Sequence, residues 1–141
     1  MTTAKNTESD NLALARAYVA AVERGADAAE MAGFLHPEAA AEAFPNLVTP
    51  HGVRYGRDQM LVGPRRGKKL MPDQRYEIHR AFAAGDTVVL EGVWTGTLTI
   101  PFGELPAGTR LRAHIAMLLE FRDGLLTAQR NYDCYDPTPG R

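Results

Sequence analysis

Few side chains in this sequence could do chemistry, and each can be weighed in turn. His36, His51, His79 and His114 stand far apart, with no His-x-x-x-His or Glu-x-x-His spacing, so no metal site is expected. Cys134 is the single cysteine. It excludes an intrachain disulfide, and without an adjacent base it reads as a small packed side chain rather than a nucleophile. Arg65, Arg66, Lys68 and Lys69 follow Pro64 closely enough to suggest an anion site. The run lacks the strand–GxxxxGK[ST]–helix setting of a phosphate loop and has no interleaved aromatics, so a solvated helix face is the expectation. Tyr18 is different. Its neighbours face a core, and a buried phenol must find a partner or, aimed into a cavity, donate to a substrate oxygen. Trp94 lies between Gly92 and Gly96, which make room either for a ligand or simply for the indole. Thr127, Gln129, Asn131 and Asp133 alternate with Ala128, Arg130, Tyr132 and Cys134. Pattern alone turns the first set to solvent. Turned inward, Asn131 and Asp133 would need hydrogen bonds or a substrate to offset their burial.

The elements that hold these residues come helices first. Ser9 or Asp10 can cap a helix running to Arg24, with Gly25 as its stop and Leu12, Ala15, Val19 and Val22 on one face. Asp27 and Glu30 open a short second helix that buries Met31, Phe34 and Leu35 and ends before Pro37. A third helical stretch covers Asp58 to Leu70, where Pro64 predicts a kink or two short helices. From Arg75 the period becomes two. Tyr76, Ile78 and Phe82 form one apolar face, with Arg80 out of pattern. After a turn at Ala84-Gly85-Asp86, the even residues from Val88 to Ile100 form the next. Leu111, Ala113, Ile115, Met117 and Leu119 line a further strand, Asp123-Gly124 turns it, and Leu125 to Tyr135 returns. Helices followed by a meander of strands give an α+β plan.

Composition sets the bounds. At 141 residues the chain reads as one domain, residues 1–141, large enough to need no staple. Apolar residues make up 45% and charged residues 23%, with a net charge of −1, which argues against an obligate nucleic-acid partner. Charge is uneven, however: residues 54–80 carry eight basic and three acidic groups. No apolar run approaches the roughly 18 residues of a membrane span, and Met1 to Glu8 lacks the apolar core of a signal peptide. A cytoplasmic location is expected.

Taken in order, Leu14 to Val19 through Gly25, Phe34 to Ala39, Gly56-Arg57-Asp58, Leu119 to Gly124 and Gln129 to Pro137 resemble the SnoaL-like branch of the nuclear transport factor 2-like superfamily. The resemblance covers nearly the whole chain. It implies a cone-shaped, curved antiparallel sheet with N-terminal helices closing an apolar pocket, and an open sheet face that pairs two copies. It also implies that the even residues of 86–100, the odd residues of 111–119, and Asn131 face the pocket. Phe44, Met60, Tyr76, Trp94, Ala113, Ile115, Met117 and Gln129 are the ligand-binding residues expected on this reading.

The superfamily holds isomerases, cyclases, dehydratases, epoxide hydrolases and non-catalytic binders, so its fold does not fix an activity. Tyr18 matches the oxyanion-donating tyrosine of ketosteroid isomerases, but their base would fall near Ala43 or Phe44 and their protonated aspartate at Met117. The base aspartate of SnoaL-type cyclases falls at Asn131, and an amide abstracts no proton. The Asp–Arg–Asp set of limonene-epoxide hydrolases would fall on Gly92, Trp94 and Asn131. Glu42 and Asp133 remain as titratable groups near the implied pocket, where an apolar wall would raise either pKa toward a useful range. The catalytic set is therefore Tyr18, Glu42, Asn131 and Asp133, acting without a cofactor on a small hydrophobic carbonyl or epoxide compound. The alternatives are a non-catalytic pocket for a hydrophobic metabolite and an interaction module using the open face. His114 is assigned to that open face.

Overall fold

The structure is a computed structural model that describes residues 6–137. Helix α1 (Glu8–Glu23) begins two to three residues earlier than a cap at Ser9 or Asp10 would place it. Thr7 is the cap: its Oγ accepts from the Asp10 amide at 3.0 Å, and the Asp10 carboxylate accepts from the Thr7 amide at 2.9 Å. Gly25 ends the helix at φ +71°, and a Cβ there would lie 2.4 Å from Lys68 Cβ, so conformation and space both demand glycine. Helix α2 (Ala28–Ala32) is capped by Asp27 as expected and buries Met31 completely.

The chain then does what the sequence reading did not foresee. Leu35–Ala43 is a strand, β1, followed by a short strand β2 (Val53–Gly56). Alanine and glutamate favour helix, which hides the alternation of buried Ala39, Ala41 and Ala43 with outward Glu38, Ala40 and Glu42. Helix α3 (Arg57–Leu70) is one continuous helix with Pro64 inside it, so of the two expected outcomes, a kink or two short helices, the second does not occur. Pro64 is buried, with its carbonyl facing Gly25.

Strands β3 (Arg75–Ala84), β4 (Thr87–Thr97), β5 (Arg110–Arg122) and β6 (Leu125–Tyr135) follow, in the sheet order β2-β1-β6-β5-β4-β3. The sheet is curved and unclosed. It is antiparallel except where β1 runs parallel to β6, a pairing that seats the first strand beside the last. Asp123 and Gly124 both have positive φ, 54° and 77°, as a type I′ hairpin requires.

A bulge between Ile78 and Arg80 explains why Arg80 broke the pattern. It reverses the faces beyond it, so Ala81 and Ala83 turn to the core while Phe82, expected inside, is 55% exposed. Ile100 is likewise exposed, because β4 has already ended at Thr97. Val88, Leu90, Ala113, Leu119 and Leu126 form a fully buried floor. Helix α1 packs on β3 and β4, and α3 on β1 and β2, leaving the middle of the concave face to the site. Among the described residues no helix is long and apolar enough to cross a membrane.

Candidate functional site

Two hollows lie between the helices and the sheet. The first, about 220 Å³, is walled by Trp94 and Leu98 of β4, by Leu111, Ala113, Ile115 and Met117 of β5, and by Asn131, Asp133 and Tyr135 of β6. Leu70, Met71, Gln74, Tyr76, Val48 and Phe102 complete it. The second, about 270 Å³, lies under α1 and α3, between Tyr18, Val22, Tyr55, Met60 and Gln129. Gln74, Tyr76 and Met117 belong to both walls.

Asp133 is the carboxylate of the first hollow. Burial pushes its pKa up, and among the described residues no side chain donates a hydrogen bond to it or pairs it with a cation. Tyr55, Tyr76 and Tyr135 surround it closely enough that its charge helps hold their phenols protonated, although burial is the larger cause for each. An aspartate in such a wall is poised to exchange a proton with a ligand.

The indole is fixed from two sides. Trp94 Nε1 donates to Gln74 Oε1 at 3.4 Å, and its ring meets Tyr135 edge-on with centroids 6.1 Å apart. Gln74 is in turn fastened to the end of α1, donating to the carbonyls of Val22 at 3.3 Å and Glu23 at 3.4 Å. The glycines flanking Trp94 serve packing. A Cβ on Gly96 would lie 2.9 Å from Trp94 Cζ2 and from Met71 Sδ, and one on Gly92 would lie 2.0 Å from the Glu77 carbonyl oxygen.

Tyr18 lines the second hollow and does not meet Asp133. Its hydroxyl donates to Gln129 Oε1 at 2.5 Å, and Gln129 Nε2 donates to Asn131 Oδ1 at 3.0 Å. Burial raises the Tyr18 pKa, so the phenol stays protonated and keeps donating. Gln129, Asn131 and Asp133 of the last strand therefore face inward, which the family resemblance implies for Asn131 and pattern alone for none of them.

Two expected site residues lie elsewhere. Glu42 alternates with the buried Ala41 and Ala43, so it points out of the sheet and pairs with Arg54 across β1 and β2 at 3.3 Å. Phe44 stacks on Tyr132 of the outer face, with ring centroids 4.8 Å apart. That face also holds His79, Glu91, His114 and Cys134 in a shallow depression, as expected for His114. Among the described residues no cluster of His, Cys, Asp or Glu could hold a metal. Arg65, Arg66 and Lys69 are exposed and line neither hollow, and Lys68 and Lys69 stand at the negative end of α3.

Sequence reasoning missed Gln74, Tyr55 and Tyr135. Tyr135 continues the alternation of Asn131 and Asp133 and could have been found. Tyr55 sits on the unforeseen β2, and Gln74, just before β3, carries no local signal.

The fold has close counterparts among solved structures. AclR from Streptomyces galilaeus matches with a TM-score of 0.71 at 23% identity, over 90% of this chain and 76% of that one. A LEH-like epoxide hydrolase from M. tuberculosis matches with a TM-score of 0.68 at 18% identity, over 89% and 84%. A SnoaL-like polyketide cyclase from Agrobacterium tumefaciens matches with a TM-score of 0.65 at 15% identity, over 88% and 89%. At these identities the likeness is one of fold. No functionally curated protein matches the sequence. The family model of the SnoaL-like domain matches residues 15–129, most of the chain, and the protein therefore belongs to the SnoaL-like domain family.

Proposed function

We propose that the first hollow is the active site of a cofactor-independent isomerase, cyclase or hydrolase that acts on a small apolar carbonyl or epoxide compound, with Asp133 as its acid–base group. The observation that carries this reading is the carboxylate of Asp133, lodged in a wall of Trp94, Ile115, Met117 and Tyr135 with no side-chain hydrogen bond among the described residues. An apolar wall strengthens any polar contact made within it. Glu42 is left out because it lies on the far side of the sheet.

The test is turnover of a panel of apolar ketones, enones and epoxides, followed by mass spectrometry. Product is expected from the wild type and from Glu42→Gln, and not from Asp133→Asn. Full activity in Asp133→Asn would overturn the assignment. A second reading, a non-catalytic pocket for a hydrophobic metabolite, draws support from the Tyr18 hydroxyl, which is spent on Gln129. That reading expects tight binding without turnover, weakened by Trp94→Ala and indifferent to Asp133→Asn. Pairing of two copies through the outer face is proposed on the exposure of Tyr132 and Phe82 there, and is tested by molar mass in solution.

A further inference from the structure

The direction of hydrogen bonding along β6 bears on what the first hollow can recognise. A contact of 2.5 Å between Tyr18 and Gln129 is an O–H···O distance, too short for an amide N–H donor. The oxygen of the Gln129 amide must therefore face the phenol. Its nitrogen is then turned the other way and donates to Asn131 Oδ1 at 3.0 Å. With its oxygen held by Gln129, Asn131 keeps its NH2 group as its free donor. Among the described residues that group has no partner, and Asn131 lines the first hollow together with Asp133, two residues along the same face and about 7 Å away.

We infer that Tyr18 and Gln129 are positioning residues whose relay fixes Asn131 as a hydrogen-bond donor, so that the first hollow selects ligands bearing an acceptor oxygen, such as a ketone or enone, over hydrocarbons of the same shape. This rests on the reading of that hollow as a ligand site, and it reassigns the oxygen-binding role from Tyr18 to Asn131. Tyr18 acts from the second hollow, through two amides, on an oxygen it never touches.

The relay makes a prediction that a packing role for these residues does not. In Gln129→Glu the new carboxylate can accept from Tyr18 but cannot donate to Asn131. Asn131 must then turn its NH2 group toward the carboxylate and its oxygen toward the hollow, where an alcohol can donate to it and a ketone cannot.

The probes are carbonyl-13C acetophenone, its hydrocarbon isostere α-methylstyrene, and 1-phenylethanol, each titrated against the wild type, Tyr18→Phe and Gln129→Glu. The wild type is expected to bind acetophenone about 5-fold to 10-fold more tightly than α-methylstyrene, the worth of one good hydrogen bond, with the bound 13C carbonyl resonance moved downfield. Tyr18→Phe keeps the ring that packs edge-on against Phe34 but frees the Gln129 amide to turn, so that preference and shift should both shrink. Gln129→Glu should favour 1-phenylethanol over acetophenone. Equal binding of ketone and hydrocarbon by the wild type, or an unchanged carbonyl shift in both folded variants, would overturn the relay while leaving the hollow a ligand site. Failure of all three probes to bind the wild type would instead strike the reading on which the relay rests.

Discussion

Replacing Asp133 with Asn removes one charge at nearly constant shape, and its effect on stability follows from where that charge sits. Burial raises the carboxyl's pKa above its ordinary 3.8, so the folded protein prefers the acid form and the unfolded chain ionises first. A group raised in this way contributes stability that is full below its unfolded pKa and is lost as pH climbs through the folded pKa. Above that window the wild type carries an ionised carboxylate in an apolar wall and the variant does not. Each unit of upward shift is worth about 1.4 kcal/mol, reduced to the extent that water at the mouth of the hollow reaches the carboxylate. Urea unfolding midpoints across a pH series read the difference directly. Near neutral pH the variant should be the more stable protein, and the gap should close as pH falls below about 4, where both side chains are neutral. A wild type more stable than the variant at neutral pH, or a gap that ignores pH, would refute the reasoning.

Two glycines give further checks. Gly92→Ala places a Cβ 2.0 Å from the Glu77 carbonyl oxygen, a clash of backbone with backbone that no rotamer relieves. Denaturant titration should show a loss of about 3 kcal/mol or more, beyond the usual range for overpacking. Gly96→Ala meets only the ends of Met71 and Trp94, 2.9 Å away, which can yield. The cost there should be about 1–2 kcal/mol, accompanied by a change in tryptophan emission as the indole is pushed into the first hollow.

Much of the architecture was legible because the strands that build the floor alternate strictly. Leu111 through Leu119 and Val88 through Leu98 are buried on the faces their spacing assigns. The failures have local causes. Strand β1 is written in alanine and glutamate, whose own preference is helical, and it becomes a strand only because β6 and β2 flank it. That error placed Glu42 and Phe44 in the hollow, since a strand turns alternate residues away and a helical or irregular segment has no such rule. Phe82 was misplaced by a single-residue bulge, invisible to a period-two pattern until its partner Gly92 is seen. The inward face of β6 was legible only through the family resemblance at Asn131, because its inner residues are as polar as its outer ones, and the burial of Gln129 and Asn131 is offset by the hydrogen bonds that run from Tyr18 through Gln129 to Asn131. Gln74 could not be read at all: its importance lies in joining the end of α1 to the indole of Trp94.

Hydrogen exchange at carbon tests the central claim without knowledge of the natural substrate. In D2O, a ketone such as 2-tetralone held in the first hollow would lose an α-proton to the Asp133 carboxylate as the C–H bond breaks and electron density moves onto the carbonyl oxygen. The resulting enolate would then recover a deuteron that the carboxyl has exchanged with solvent. Mass spectrometry follows the label. Wild-type protein should speed incorporation well beyond buffer, and Asp133→Asn, properly folded, should return it to the buffer rate. Equal incorporation by the two proteins would contradict the assignment of acid–base chemistry to Asp133.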